Sequence, residues 1–447
     1  APMHTRQGPG RSFESTIQSP KGVDVKFIHA SDLHIDSPLC GLDSYIGAPV
    51  ERLRGATRQA LIALVELAIH QRVDLVLLAG DIYDGNWSDF RTGLFFRKQM
   101  VRLTREGIRV FIVKGNHDAE SLITRPLPPV EGVHVFSSRS SQTVELEDLS
   151  VAIHGRSFPK GAVTEDLVPD YPDPVAGRFN IGILHTSLSG RVGHDTYAPT
   201  TVEILTDKGY DYFALGHVHA REIVKETNPR IVYPGNLQGR RARETGPKGC
   251  ELVVVSGGRI ESSEFQALDV VRWQQVNIDA SPLNNVNDLS KAFKEHASAL
   301  VRDARDRLHA IRVILRGQSK LSEIEAEHPG AITAAVQAAT QDFDDADIWI
   351  EEVRLDIQSS IDRKVMAERQ DAIGEVVRLV DGLISDDQRL VEWVRQQLDE
   401  LGKLPGALKE VDPTELNAGA LRAVLTEAEA TVLVQISGAA QTGRVAK

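Results

Sequence analysis

Residues Val73 to Asp84 read VDLVLLAGDIYD, and this stretch decides how the rest of the chain is understood. Val73 to Ala79 is a short apolar run without alternation, the mark of a strand buried on both faces. It stops at Gly80-Asp81. A carboxylate just past the C-terminal end of a central strand stands where open α/β sheets place their chemistry. Gly80 leaves room for the backbone, and the two oxygens of Asp81 can serve two cations. Gly-Asp is also ordinary turn material, so the stretch alone leaves both readings open.

Outward from it the same pattern recurs. Val25–Ala30 (VKFIHA) runs into Ser31-Asp32-Leu33-His34, and Ile108–Val113 (IRVFIV) into Lys114-Gly115-Asn116-His117-Asp118. Phe179–Leu184 ends in His185, and Tyr212–Leu215 ends in Gly216-His217-Val218-His219. Glu51–Gln71 and Phe90–Glu106 carry helical spacing between the first three strands. Strand, helix, strand, helix, strand with short connections specifies a parallel α/β core. The short strands between Gly132 and His154 suggest a second sheet packed on the first. Ile223–Lys225, Ile231–Tyr233, Glu251–Val255 and Ile260–Ala267 read as antiparallel strands of that same half.

Five polar clusters thus follow five strands, and loops at one sheet edge converge in space. Asp32 and His34, two apart in an extended loop, can offer oxygen and nitrogen to one cation. Asp81 can bridge two, and Asn116 offers a neutral carbonyl oxygen. His185, His217 and His219 complete a set of seven candidate ligands. Imidazole, carboxylate and amide without thiolate suit octahedral Mn²⁺ or Fe²⁺ better than a closed structural zinc site. Each residue taken singly has a structural explanation; the ordered set of five does not. His29, His70, His134, His296, His309 and His328 read as structural, His154 as intermediate, and His194 as a possible substrate contact.

The totals set bounds. At 447 residues, 41% of them apolar, the chain is long enough for two or three domains, at about 150 residues each. No run reaches the ~20 apolar residues of a membrane helix. Cys40 and Cys250 have no CxxC partner, which points to a reduced, cytoplasmic protein. Residues 1–22, rich in Ser, Pro, Gly and Arg, read as a disordered arm or an expression remnant. The net charge is −12, but residues 342–400 alone hold 17 acidic and 7 basic side chains. Residues 221–248 are locally basic. Arg240, Arg241, Arg243 and Lys248 are the candidate DNA-phosphate contacts there.

The ordered motifs resemble those of the calcineurin-like metallophosphoesterase superfamily over roughly Val25–Leu268. Finer segments are similar to its SbcD/YhaO-type DNA-repair exonuclease branch: Asp32 to Pro38, Ile153 to Phe158, Tyr233 to Arg240 and Glu244 to Gly249. The resemblance implies a four-layer αββα sandwich as the core, residues 23–269, with an α+β capping domain over 270–358. Residues 359–447 follow as a helical C-terminal region. It implies two divalent ions, foremost Mn²⁺, with Fe²⁺, Mg²⁺ and Zn²⁺ as alternatives. One would be held by Asp32, His34, Asp81 and His219, the other by Asp81, Asn116, His185 and His217. His117 would stabilise or protonate the leaving oxygen, with Asp118 orienting it. Two positions depart from the pattern: Asp36, where many relatives carry Gly, is expected to add a ligand or shape the entrance, and Asp84 stands where some nucleases have His.

The function so implied is a two-metal DNA phosphodiesterase, exonuclease or endonuclease, in DNA repair or end processing. Its partners would be DNA, a second copy of the chain, and an SMC-like coiled-coil ATPase of the SbcC/YhaN type docking on the C-terminal helices. Its place would be the cytoplasm, at the nucleoid, with no membrane. The same core also serves metallophosphatases and phosphodiesterases acting on small phosphoesters or cyclic nucleotides. That is the competing reading.

Overall fold

The computed structural model describes residues 24–37, 47–84, 90–120, 128–188, 197–302, 304, 306–343, 346–359, 363–401 and 418–442. The arm expected over 1–22, Cys40 and His194 lie outside these residues. The chain divides into two compact units, one ending at Arg272 and one starting at Trp273.

In the first unit the elements are β1 (Val25–Ala30), α1 (Val50–Gln71), β2 (Leu75–Ala79), α2 (Phe90–Arg105), β3 (Arg109–Val113), α3 (Asn116–Glu120) and β4 (Val133–Val135). There follow β5 (Gln142–Leu146), β6 (Val151–Gly155), β7 (Phe179–His185), α4 (Val202–Asp207), β8 (Tyr212–Gly216), β9 (Glu222–Lys225), β10 (Arg230–Tyr233), β11 (Gly249–Ser256) and β12 (Arg259–Ala267). One six-stranded sheet has the order β12-β11-β1-β2-β3-β4, the other β5-β6-β7-β8-β10-β9.

The layers follow from alternation along each strand. Phe27, Leu75, Leu77 and Val113 of the first sheet meet Ile153, Ile181, Ile183 and Tyr212 of the second in one buried core. Their neighbours Ile28, Val76 and Leu78 point the other way, onto Leu61, Leu64 and Val65 of α1 and Met100 and Leu103 of α2. On the far face of the second sheet, Leu184, Phe213 and Leu215 pack with Leu205 of α4 and Tyr171. The result is helix, sheet, sheet, helix: the expected αββα sandwich.

Three placements differ from the sequence reading. β11 and β12 belong to the first sheet, β11 lying antiparallel to β1, and β4 extends the same sheet beside β3. β10 runs parallel to β8. The cause is that β11 is apolar on both faces, with Val253 and Val255 toward the inter-sheet core and Cys250 and Leu252 toward α1. Such a run fits beside any buried strand, and its composition does not name the partner.

The second unit holds β13 (Val271–Asp279), which begins at its border, then α5 (Val286–Arg302), β14 (Leu308–Gln318), α6 (Leu321–Glu327), α7 (Ala331–Thr340) and β15 (Asp347–Gln358). The three strands form a sheet in the order β13-β14-β15, covered by Leu289, Phe293, Ile332 and Val336. The helices α8 (Arg363–Ala367), α9 (Ala372–Ile384), α10 (Asp387–Leu401) and α11 (Ala418–Thr442) complete it. Ile373 and Val377 of α9 bury against Leu433 of α11. Among the described residues no helix is long and apolar enough to cross a membrane.

Candidate metal centre

In each sheet of the first unit, the strands that carry motifs run parallel, so their C-terminal ends share an edge. The first two loops are zipped together. The Asp32 amide donates to the Gly80 carbonyl, that of His34 to Asp81, and that of Ile35 to Ile82, each at 3.0 Å. Between the sheets, His185 Nδ1 lies 2.9 Å from the Ala79 carbonyl, and the His217 amide donates to both Asp32 oxygens at 3.2 and 3.0 Å.

The backbone at these loops is unusual. Asp32 (φ 51°), His34 (43°), Asp81 (53°) and His217 (100°) are all non-glycine residues at positive φ. Such conformations are sparsely populated and gather where function over-determines the backbone. Gly115 shows how close the approach is: a Cβ there would fall on Asp81 Oδ1 and stand 2.8 Å from His185 Nε2.

The side chains converge. His34 Nε2 and His219 Nε2 are 3.2 Å apart, and His219 Nε2 is 3.8 Å from Asp32 Oδ1. Asp81 Oδ2 lies 3.9 Å from His34 Nε2 and 3.4 Å from His185 Nε2. His185 Nε2 is 3.0 Å from Asn116 Oδ1. Three triads keep one ligand atom each within 4.8 Å: Asp32, His34 and His219; His34, Asp81 and His117; Asp32, Asp81 and His185. His217 joins through its amide, and its ring centroid lies 5.2 Å from that of His185.

The donor set fits a cation. His219 Nδ1 is 3.0 Å from Glu244 Oε1 and His34 Nδ1 is 3.3 Å from Asp84 Oδ1. A carboxylate at Nδ1 places the proton there and turns the lone pair out at Nε2. The His219 lone pair therefore faces His34 Nε2 at 3.2 Å, and both Nε2 atoms can turn to one cation.

Electrostatics agree. Burial pulls the His185 imidazolium down, but Asp81 and Asp32 outweigh it and hold the group at about 9. A position that favours a proton so strongly favours a divalent cation as well. Burial would raise the Asp81 carboxyl, yet His185, His34 and His117 keep it well below the usual range. His217 falls to about 4, through burial and then the neighbouring His185.

Several outer contacts were not readable from the motifs. Asp84 Oδ1 lies 3.2 Å from His117 Nδ1, so Asp84 faces the rings of both His34 and His117. Asp118, expected to orient His117, instead accepts the amides of Tyr83 and Gly115 at 2.9 and 3.1 Å. It pins the second and third loops together, because its side chain turns back over the start of α3. Burial and Asp81 raise its carboxyl to about 6. Glu244 holds His219, Asn236 Nδ2 at 2.9 Å and the Arg240 amide at 2.8 Å. It stands 25 residues beyond His219, with no spacing rule to reveal it.

Other expectations are corrected. Asp36 is committed to Arg58, with Nε at 2.7 Å, and to Thr92 Oγ1 at 2.5 Å; it anchors the first loop to α1 and α2. Of the basic residues expected to meet DNA, Lys248 is buried and donates to the His219 carbonyl at 2.8 Å. Arg240 also turns inward, its Nη1 donating to Ser37 Oγ at 2.9 Å. Arg241 and Arg243 are exposed. A basic run in sequence therefore splits into two outward and two inward charges, because loop 235–248 folds under the motifs. His29, His154 and His309 are structural: His154, for example, stacks on Tyr210 and bonds Thr143 and Asn180.

Comparison with known proteins gives a consistent picture. Residues 25–221 match the family described as calcineurin-like phosphoesterase, and residues 273–358 match the middle domain of metallophosphoesterase YhaO. The chain is 34% identical to the metallophosphoesterase YhaO of Bacillus subtilis over 338 residues, 75% of this chain and 82% of that one. It is 23% identical to the DNA double-strand break repair protein Mre11 of Thermoplasma acidophilum, over 59% of this chain and 70% of the other. Identity is 22% to a component of the nuclease SbcCD of Escherichia coli, over 54% of this chain and 67% of that one.

Proposed function

This chain belongs to the calcineurin-like metallophosphoesterases and is a metal-dependent phosphoesterase, and from that premise we propose that it is a two-metal DNA phosphodiesterase acting in DNA-end processing or repair. The observation that carries the reading is the convergence of carboxylate, imidazole and amide donors at one sheet edge. Relatives named for double-strand break repair and for nuclease activity support DNA as the substrate.

Asp32, His34, Asp81 and His219 would hold one ion, and Asp81, Asn116, His185 and His217 the other, with Mn²⁺ the metal that the ligand mixture favours. Bound ions supply Lewis acidity at the phosphoryl oxygens and a water nucleophile at neutral pH. Asp81 spans the two groups of donors. His117 is a half-exposed ring whose Nδ1 faces Asp84, which leaves Nε2 to hold or deliver a proton at the leaving oxygen.

One observation favours the competing reading, action on small phosphoesters: Arg240 and Lys248 are turned inward, which leaves Arg241 and Arg243 as the exposed basic pair of the loop. The test uses the full chain with linear duplex DNA, single-stranded DNA and para-nitrophenyl phosphate in Mn²⁺, with and without EDTA. EDTA-sensitive DNA cleavage is expected. Turnover of the small ester alone would replace the DNA reading with the other.

The partner reading rests on the C-terminal helices, docking site for an SMC-like ATPase. Val365, Leu379 and Val424 are exposed there, while Val377, Val380 and Leu383 are consumed in packing. Truncation at about residue 360 is expected to abolish ATPase binding and spare metal-dependent cleavage; binding that survives truncation would remove the assignment. Homodimerisation and a cytoplasmic, nucleoid-associated location complete the reading, tested by sedimentation of the purified chain and by fractionation of cells. A purely monomeric chain, or one recovered away from the nucleoid, would count against them.

A further inference from the structure

Arg240 lies between the two carboxylates that stand behind the imidazoles of one triad. Its Nη1 is 3.4 Å from Asp84 Oδ2 and its Nη2 is 3.8 Å from Glu244 Oε1. Both contacts are reinforced. Nη1 also donates to Ser37 Oγ at 2.9 Å, and Ser37 Oγ in turn donates to Asp84 Oδ2 at 2.6 Å. The Arg240 amide donates to Glu244 Oε2 at 2.8 Å. Asp84 faces His34 Nδ1 and Glu244 accepts from His219 Nδ1. The guanidinium is only 15% exposed, and the two carboxylates are 17% and 7% exposed.

We propose that Arg240 is a positioning residue: its guanidinium yokes Asp84 to Glu244 and thereby presents the Nε2 atoms of His34 and His219 together to one metal ion. The proposal rests on the two-metal reading above and adds to it a residue outside the ligand set. A planar fork suits the task, because its two terminal nitrogens face different carboxylates at once, Nη1 toward Asp84 and Nη2 toward Glu244, which a lysine ammonium on a flexible stem does not. The opposing effect is charge. A guanidinium near a cation site repels the cation, so if electrostatics dominated, removing Arg240 would tighten metal binding. The chain of partnered contacts on both sides of the fork makes the geometric role the larger one. The distances from His34 to Asp84 and from His219 to Glu244 depend on carboxylates that Arg240 itself holds in place.

Two variants separate the effects. Arg240→Lys keeps the charge and loses the fork; Arg240→Met loses both. Mn²⁺ binding to EDTA-stripped full-length protein is counted from the free-ion electron paramagnetic resonance signal, alongside thermal melting of the metal-free protein. Wild type is expected to take up two ions. Both variants are expected to weaken one of the two by roughly 10- to 100-fold, the range for loss of groups that orient metal ligands. The other ion is expected to bind as in wild type, and melting of the metal-free protein to stay close to wild type in Arg240→Lys. In a His185→Ala background, which leaves the His34–His219 site, the same weakening is expected on the remaining ion. Wild-type or tighter binding in Arg240→Met, or equal weakening of both ions, overturns the yoke and leaves the two-metal reading intact. Fewer than two ions bound to wild type overturns the two-metal reading itself.

Discussion

His29 ties the two sheets together directly beneath the centre, and its titration sets a measurable acid sensitivity. Its Nδ1 lies 3.0 Å from Tyr212 Oη and its Nε2 3.0 Å from the Leu215 carbonyl, so a β1 side chain bonds β8 across the sandwich. Burial drops its pKa to about 3, against weaker opposition from the Leu215 carbonyl and Asp32. The unfolded ring takes up its proton near 6.5. Between these values the unfolded state binds more protons, so stability rises with pH and falls on acidification. Across pH 6.5 to 4.5 this one group costs about 2 kcal/mol, from a limiting slope of about 1.4 kcal/mol per pH unit. Asp81, Asp84 and Glu244 are held low, but His217, lowered to about 4, and Asp118, raised to about 6, also titrate across this window, so the effect of His29 is read as the difference between wild type and His29→Asn. His185, held at about 9, has gained nearly all its protons in both states below about 5. The assay is urea unfolding in EDTA at pH 6.5, 5.5 and 4.5, read by pulsed hydrogen exchange on peptides from β1 and β8. His29→Asn is expected to flatten the pH dependence by about 2 kcal/mol relative to wild type. Equal slopes in the two proteins would show that the ring is not held neutral, and the argument from burial would fail.

Other expectations bear on the centre itself. Asp81→Asn should weaken both ions together, whereas Asp32→Asn or His185→Ala should mainly weaken one; a stoichiometry of two in Asp81→Asn, counted by metal analysis after gel filtration, would remove Asp81 from its bridging place. His117→Ala should lower kcat by about 10²- to 10⁴-fold with metal content unchanged, and full activity in that variant would end its assigned role. Gly115→Ala should weaken both ions, since a methyl would stand 2.2 Å from Asp81 Oδ1 and 2.8 Å from His185 Nε2; equilibrium dialysis against Mn²⁺ decides it. In a Cys40→Ser background, Cys250 should stay unreactive toward a disulfide reagent until denaturant is added, because burial pushes its thiol well up; rapid labelling of the folded protein would contradict its place under α1.

The motif carriers were legible because each is a local signal: an apolar run that stops at a polar cluster. β1, β2, β3, β7 and β8 could be found one at a time, and α/β logic brought their ends together. What escaped is what needs long-range geometry. β11 could not be assigned to a sheet, since a strand buried on both faces suits several neighbours. Asp84 was visible as a motif residue, but its position against His34 and His117 depends on where the first and third loops meet. Glu244 lies in a loop rich in arginine, where no motif spacing marks it as a partner of His219. Its role emerges only when Asn236, Arg240 and His219 are seen around it. Lys248 misled for a related reason: charge in sequence predicts exposure on average, and this lysine spends its charge on a backbone carbonyl.

The pairing of β1 with β11 has a consequence for how the chain acquires its form. Val25 pairs with Val255 and His29 with Glu251, so the strand that supplies Asp32 waits for residues more than two hundred positions downstream. Loop closure over that span makes for a high contact order and slow assembly. During synthesis, β1 emerges long before its antiparallel neighbour, and its open edge is a hydrogen-bonding template for other chains until β11 covers it. The segment 25–221, which carries all five motifs, therefore lacks the β11 partner of β1. It ends before β10 and before the β11–β12 hairpin, and so lacks the strand that seals its first sheet. Within the first unit the motifs come first, and the strand that seals their sheet follows them.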